Sequence, residues 1–275
     1  MEFIKKHPFL IVYFVLLVAA VVLKIGFGYI LLGTLVFLVV VCLIRLPNTA
    51  AYLGYLFQGF WGKPDAAFKL YSFAYSHGST AKAPKVAYAM QLMQKTRYEE
   101  SKNALEDLLA DEGLKPTLLK IVRQDVAIAY WNTGDVQRAI DTMEKMKEDY
   151  DLLSAEFFTT LGYFYVEAGD YEKAAETTET ALSMDEGNGG AYDNLGVIAY
   201  KQGNLEEALE LFTKALELKE TMASSKYYLG LIYEQLGDED QAKSYFTAAH
   251  NSNITGLNTV TREQVDEKYR EYMDR

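Results

Sequence analysis

Apolar residues are unevenly distributed along this chain, which divides it into two parts. From Pro8 to Ile44, the only ionisable side chains besides tyrosines are Lys24 and Cys42, and Leu, Val, Ile and Phe fill most other positions. One continuous helix of this length would measure about 55 Å, against roughly 30 Å for the hydrocarbon core of a bilayer. Because a lysine and two glycines interrupt the run near its middle, the pattern predicts a hairpin of two membrane spans, about residues 4–23 and 27–45.

A cleaved signal peptide is the alternative interpretation of the first span. Lys5 and Lys6 precede an apolar run that contains Ala19 and Ala20, as in secretory signals. A cleaved signal is followed by polar mature sequence, whereas here a second apolar run begins after about five residues. We therefore expect a retained hairpin, held in the lipid bilayer through residues 4–45.

Positive charge near the ends of the two spans sets the expected orientation. Only Lys24 lies on one side of the hairpin. The cations on the other side are Lys5, Lys6, Arg45 and Lys63. Because Lys and Arg are enriched on the cytoplasmic side, we expect an integral protein of a bacterial cell membrane with residues 47–275 in the cytoplasm.

Pro47 is expected to end the second span, and Asn48 and Thr49 are candidate caps for a short helix beyond it. The segment 47–65 is rich in aromatic residues, which favour the headgroup region of a membrane. Two interpretations stay open: an interfacial helix that sets the angle between the hairpin and the rest of the chain, or an ordinary helix packed on the first repeat.

Beyond residue 65, apolar residues recur at helical spacing in units of similar length. Gly134, Gly169, Gly203 and Gly237 follow one another at intervals of 35, 34 and 34 residues, and each precedes an alanine by five positions. This period is typical of helical solenoids, in which each unit is a pair of antiparallel helices. The four clear units are residues 120–154, 155–188, 189–222 and 223–250.

The alternation of small and large residues inside these units resembles the tetratricopeptide repeat (TPR) family. One unit has Leu195 and Gly196 on its first helix, Gly203 in the turn, and Ala208 and Phe212 on its second helix. The resemblance implies an all-α fold in which a transmembrane hairpin precedes a TPR-like solenoid. The predicted divisions are the two-helix transmembrane hairpin (1–46), the juxtamembrane aromatic segment (47–65), degenerate TPR-like helices (66–118), four TPR-like repeats (119–260) and a capping helix (261–275).

The periodicity stops after Asn253, and a last helix is predicted beyond it. Thr261 and Gln264 have the spacing of a capping box. Its apolar positions are Val265, Tyr269 and Met273. Because the final repeat of a solenoid needs a cover with a polar outer face, this helix is expected to close the core, with a partner-binding tail as the alternative.

Charge and residue types exclude several classes of function. The net charge is −11, and because residues 1–46 carry +3, residues 47–275 carry −14. This excess of acid disfavours nucleic acid as a partner. The three histidines are far apart, and no serine lies in a nucleophile motif. We therefore expect no catalytic residue, no metal and no cofactor.

In the TPR family, the first helix of each repeat lines a concave groove that binds partner proteins. By register, the resemblance implies these groove residues: Thr159, Tyr163, Val166, Asp193, Asn194, Val197, Tyr200, Tyr227, Tyr228, Leu231 and Glu234. Asn194 matches the central asparagine with which some members hold a C-terminal carboxylate, but the flanking cations are absent. The expected partner segment is therefore neutral, aromatic or basic.

Two hypotheses of function follow. In the first, the protein is a membrane-anchored adaptor or scaffold that presents its groove to a peptide or helix of a partner protein. In the second, it is an assembly or stability factor whose transmembrane hairpin contacts other membrane proteins. In neither hypothesis is the protein an enzyme.

Overall fold

The computed structural model describes residues 26–254 and 258–273, and all regular secondary structure in these ranges is helical. This confirms the expected all-α class. The described helices are α1 Phe27–Gly59, α2 Pro64–Ser76, α3 Lys82–Gln94, α4 Tyr98–Leu109, α5 Pro116–Asn132, α6 Val136–Asp149, α7 Ala155–Ala168, α8 Tyr171–Met184, α9 Gly189–Lys201, α10 Leu205–Leu218, α11 Ala223–Leu236, α12 Glu239–His250 and α13 Arg262–Met273. The chain divides after Gln91 into two compact units. The first predicted membrane span, residues 4–23, lies outside the described residues.

Helix α1 continues through Pro47, so the prediction that this proline ends the helix is wrong. Proline removes one backbone hydrogen bond and clashes with the carbonyl four residues earlier, which bends a helix without always ending it. The arms Gly28–Val40 and Arg45–Gly59 meet at 65°. Among the described helices none alone is long and apolar enough to cross a membrane, and these two arms pass that test only as a bent pair.

Asn48 also differs from its expected role as a helix cap. Its side-chain oxygen accepts hydrogen bonds from the Ser79 hydroxyl and the Thr80 backbone N–H, both at 2.8 Å. These two residues belong to the loop between α2 and α3, and α3 begins at Lys82. Pro84 then lies in the first turn of α3, where the missing N–H costs nothing.

The second arm of α1 pairs with α2 in a helical hairpin. The sequence pattern predicted repeat-like helices only from residue 66, which includes α2 but not its partner. Ala67, Tyr71 and Ala74 form the buried face of α2. A Cβ atom on Gly54 would lie 2.8 Å from the Tyr71 ring, so α1 approaches α2 closely at that glycine. Gly62, with φ of 59°, precedes Ala67 by five residues and extends the glycine-to-alanine spacing toward the N-terminus.

The turn between α3 and α4 has the same backbone shape without a glycine. Thr96 has φ of 57°, a left-handed conformation that a β-branched residue adopts only with strain. Ser101, five residues later and fully buried, takes the place that alanine holds in the other units. This helix pair lies in the segment 66–118 that was predicted to hold degenerate TPR-like helices, and neither of its two marker residues is the usual one.

The eight helices from α5 to α12 form four antiparallel hairpins, as the periodicity predicted. The phenyl rings of Phe212 and Phe246 are fully buried, and a Cβ atom on the facing Gly196 or Gly230 would come within 2.8 and 2.6 Å of them. In the α7–α8 hairpin Thr178 faces the glycine instead of an aromatic ring. The helices pack closely because a small residue lies opposite a large one.

The turns inside the hairpins contain the C-cap of one helix and the N-cap of the next. Gly169 ends α7 in the left-handed conformation, with φ of 77°. The next residue, Asp170, caps α8 by accepting a hydrogen bond from the Lys173 backbone N–H. Asp135 and Asp238 cap α6 and α12 in the same way. At Gly169–Asp170 and Gly237–Asp238, consecutive residues end one helix and begin the next.

Helix α13 begins at the predicted capping box. The Gln264 N–H donates to the Thr261 hydroxyl at 3.2 Å, and the Thr261 N–H donates to the Gln264 side chain at 2.7 Å. Val265 and Tyr272 are its buried residues, whereas Met273 is 40% exposed, so the predicted face was wrong at its far end. At about 100° per residue, position 272 lies about 20° from the direction of position 265 and position 273 about 80° away.

We predict that Gly196→Ala lowers the free energy of unfolding by about 1–3 kcal/mol, because the new methyl group would overlap the Phe212 ring. Adding Phe212→Leu to this variant should recover part of the loss. Gly59→Ala is the matched control, since a Cβ there meets nothing within 4 Å. Urea denaturation measures all three, and equal stability of Gly196→Ala and wild type would contradict the close-approach explanation.

Candidate partner-binding groove

The first helices of the four hairpins, α5, α7, α9 and α11, line one face of the second unit, here called the groove. A cavity of about 870 Å³ lies along it. Its walls include Trp131 of α5, Val166 of α7, Val197 of α9 and Tyr228 of α11. A single cavity therefore collects side chains from four successive repeats.

Residues 258–261, here called the strap, form another wall of this cavity. The Tyr163 hydroxyl donates a hydrogen bond of 2.6 Å to the backbone carbonyl of Asn258, and the Val260 side chain is 3% exposed. Burial raises the pKa of Tyr163, which keeps the hydroxyl protonated as a donor. A segment of the chain's own C-terminal region thus lies in the groove.

The strap is anchored at its C-terminal side by Arg262. The guanidinium donates to the backbone carbonyls of His250 at 2.7 Å and Ser252 at 2.6 Å. Since those carbonyls end α12, one side chain satisfies the end of that helix and fixes the chain where it enters α13.

Asp193 joins two repeats. Its carboxylate accepts hydrogen bonds from the hydroxyls of Ser224 at 2.9 Å and Ser225 at 2.5 Å, both on α11. The side chain is almost fully buried, and burial raises its pKa to about 6, while the two serines and Lys219 act in the opposite direction. This predicted groove residue lies in the contact between α9 and α11.

Asn194 and Thr159 form a second polar contact between repeats. The Asn194 amide donates to the backbone carbonyl of Thr159 at 2.9 Å, and the Thr159 hydroxyl accepts from Asn188 at 2.7 Å. Asn194 is 2% exposed. The asparagine that matched a carboxylate clamp by position therefore uses its amide to hold α9 against α7.

Three of the four predicted groove residues on α11 lie toward the capping helix: Tyr227, Leu231 and Glu234. Tyr227 and Leu231 pack on a buried cluster that includes Phe246 and Tyr272. Lys268 of α13 donates to both carboxylate oxygens of Glu234 at 3.0 Å. The capping helix thus covers the end of the first-helix face.

Tyr200 lies between these two regions. Its hydroxyl accepts a hydrogen bond from Gln235 at 2.8 Å, and its ring contacts Tyr228 edge-on at 5.2 Å. Tyr228 in turn stacks on Phe212, with the ring planes 3° apart. The aromatic residues of the groove therefore continue into the hairpin core, which fixes their orientation.

The sequence interpretation missed Trp131 and the strap. Trp131 contacts Tyr163 edge-on at 5.2 Å and lies three residues before a turn glycine, as do Val166 and Tyr200. The register was therefore sufficient to find it. No periodic signal marks the strap, because its partner Tyr163 lies 95 positions away in the chain.

Within residues 26–254 and 258–273, no three His, Cys, Asp or Glu side chains are placed to hold a metal ion. Burial raises the pKa of Asp125 on α5 to about 6. Desolvation of the carboxyl is the cause of this shift.

Comparisons with known proteins agree with this geometry. Residues 159–223 and 223–250 match two family models, each described as a tetratricopeptide repeat. Residues 159–250 are therefore similar to tetratricopeptide repeats. TPR repeat-containing protein YvcD of Bacillus subtilis (strain 168) is 33% identical over 105 residues, which are 36% of this chain and 21% of that protein. The match thus spans about a fifth of that relative's length. Such repeats are generally protein-interaction scaffolds.

A solved structure shares the fold. TTC0263, described as a thermophilic TPR protein of Thermus thermophilus, is 15% identical with a TM-score of 0.57, over 71% of this chain and all (100%) of that one. YrrB, described as a TPR protein with an unusual peptide-binding site, is 19% identical with a TM-score of 0.41, over 65% of this chain and 89% of that one. At 15% identity the likeness to TTC0263 supports the helical-repeat fold alone.

We predict that Asp193→Asn changes how stability depends on pH. The folded pKa of about 6 lies above the ordinary value of 3.8, so the folded state holds this proton more tightly than the unfolded state. The contribution of Asp193 to the free energy of unfolding is therefore full below about pH 4 and falls by about 3 kcal/mol as the pH rises through 6.

Asparagine has no carboxyl proton to lose, so its contribution to stability should not fall with rising pH. Its amide can still form hydrogen bonds with both serine hydroxyls. Urea denaturation between about pH 4 and pH 7 should show the variant gaining on the wild type as the pH rises. Asp240→Asn, at an exposed position, is the control and should follow the wild-type curve. Parallel curves for Asp193→Asn and wild type would show that its burial costs the charged form nothing.

Proposed function

We propose that this protein is a membrane-anchored adaptor whose groove holds a segment of a partner protein. The observation that carries the proposal is that the groove already holds a chain segment, the strap, through a backbone hydrogen bond and a buried aliphatic side chain. A surface that binds a piece of its own chain in this manner has the shape and polarity to bind another chain.

The polarity of the groove supports a neutral partner segment. The charged groups that line the cavity include Glu167 and Lys201, which have opposite signs. Arg262 also lines it, but its guanidinium is engaged with two backbone carbonyls. Because these are the only three charged side chains among the described residues that line the cavity, affinity would come mainly from apolar area and from hydrogen bonds to tyrosine and backbone groups.

The first arm of α1 supports attachment to a membrane. Between residues 29 and 40 it exposes eight large apolar side chains to the surroundings. They are Tyr29, Leu31, Leu32, Leu35, Val36, Leu38, Val39 and Val40. Exposure of this extent in a short stretch is unfavourable in water and favourable in lipid. In the proposal, this arm is the second span of the hairpin and residues 47–275 lie in the cytoplasm.

The second hypothesis, an assembly or stability factor that contacts other membrane proteins through residues 1–46, stays a prediction. Its main surface includes residues 1–25, which lie outside the described part of the chain. The same exposed arm of α1 would serve as the contact in that case. Photocrosslinking separates the two, since one places the partner at the groove and the other at the hairpin.

We predict that a photoreactive phenylalanine analogue at Tyr200, in the groove, crosslinks a partner protein in native membranes. The matched control is the same analogue at Tyr245, a tyrosine that lies on the second helix α12 and stacks on Tyr233. Mass spectrometry of the crosslinked bands identifies what each position contacts. A partner captured equally from both positions, or from neither, would contradict a groove-based adaptor.

We predict that residues 47–275 are protected from protease added to intact cells. Replacing Leu31, Leu35 and Leu38 with glutamate should remove the second span, since each charge inside the bilayer costs on the order of 3 kcal/mol. With only the first span left, residues 47–275 would be moved outside the cell and digested. The control replaces the exposed leucines Leu152, Leu218 and Leu236 with glutamate.

That control carries the same number of new charges in the repeats, and its residues 47–275 should stay protected. Digestion of the wild-type chain in intact cells, or its recovery in the soluble fraction after carbonate washing, would contradict the proposed anchoring.

A further inference from the structure

We propose that the strap is an internal ligand: it occupies the partner site, and the partner is an extended, uncharged segment that presents a backbone carbonyl to Tyr163 and a branched aliphatic side chain to the pocket of Val260. This inference rests on the proposed function and makes it more specific. It names both the chemistry of the partner and the residues that the partner must displace.

The contact between Tyr163 and Asn258 does not depend on the side chain of Asn258. The donor is a tyrosine hydroxyl held in place by edge-on contacts with Trp131 and Phe164, and the acceptor is a backbone carbonyl. Any extended segment can offer such a carbonyl. The hydrogen bond therefore recognises an extended backbone, and a different chain can replace the strap without loss of this bond.

Sequence selectivity in the site comes from Val260. Its side chain is 3% exposed, whereas the neighbouring Thr261 is exposed. A buried aliphatic side chain contributes through the apolar area that it removes from water, and a charged side chain in its place would leave an unpaired charge in an apolar site. The partner is therefore expected to carry Val, Ile or Leu at this position and no charge beside it.

The cavity contains volume that the strap does not fill and that a partner segment could occupy. It has a volume of about 870 Å³ with the strap in place, and its walls include Trp131 at one end. A longer segment that replaced the strap would fill this volume and gain contacts with the tryptophan. The partner can thus outcompete a segment that has the advantage of being tethered.

Because the strap is covalently joined to the protein, it competes strongly with a free peptide for the groove. A segment joined to its site by a short connection has an effective concentration on the order of millimolar. A free peptide of similar sequence must overcome this, so its apparent affinity falls by the fraction of molecules in which the groove is open. A substitution that removes the strap from the groove should therefore increase peptide affinity, which a purely connecting role of the strap does not predict.

The test uses the full chain with Trp61→Phe, which leaves Trp131 as the only tryptophan and makes its fluorescence report on the groove. The probe is a synthetic peptide with the sequence of the strap, residues 258–261, which has no charged side chain; it is acetylated and amidated. Val260→Asp is introduced to expel the strap. We expect the peptide to bind this variant at least about 10-fold more tightly than the parent, because the internal competitor is gone.

Three controls make the result specific. Val260→Ile keeps an aliphatic group in the pocket and should leave the peptide affinity as in the parent. A peptide with aspartate in place of its valine should not bind. Adding Tyr163→Phe to Val260→Asp should weaken binding several-fold, because the hydrogen bond to the peptide carbonyl is lost. Circular dichroism verifies that every variant keeps its helical content.

The proposal is overturned if Val260→Asp keeps its helices and binds the peptide no more tightly than the parent, or if the aspartate peptide binds as well as the valine peptide. Should Val260→Asp fail to fold, Val260→Ser provides the same comparison with a milder change, and an unchanged affinity again rejects the internal ligand. Crosslinking at Tyr200 tests the adaptor function separately. Tight peptide binding without a crosslinked partner would refute the adaptor, and a partner captured equally with and without Val260→Asp would refute the strap.

Discussion

The close approach of two helices in each hairpin is the constraint on which the rest of the structure depends. Where a glycine such as Gly196 or Gly230 meets a phenylalanine ring, the backbones come near enough to bury one apolar face of each helix completely. Only then do the first helices stand side by side and form a continuous groove. The position of every groove side chain follows from contacts made on the other side of its helix.

Polar contacts between repeats add the register that apolar packing alone leaves open. Asp193 with its two serines, and Asn194 with the Thr159 carbonyl, each connect a first helix to the neighbouring one. Such buried groups must have their partners at short distance, so they tolerate little sliding of one repeat along the next. The side chains that looked available for a ligand in the sequence are the ones that set this alignment.

The repeats could be predicted from sequence because each needs the same residue types at the same spacing. The errors arose where another part of the chain changes the local outcome. Pro47 lies inside a helix whose second arm packs on α2, and packing on the preceding hairpin selects Tyr272 over Met273. The position of the strap could not be predicted from the sequence, because the contact of Tyr163 with Asn258 joins residues that are far apart in the chain and follows no periodic pattern.

The capping box has a consequence that reaches beyond the end of a helix. Thr261 is both the last residue of the strap and the residue that caps α13, so the two segments share one covalent joint. If another chain replaced the strap, it would pull on the cover of the final repeat, and the free energy of binding would be linked to that of undocking α13. The last repeat would then loosen when a partner binds in the groove, and Phe246 and the residues packed around it would become exposed to solvent.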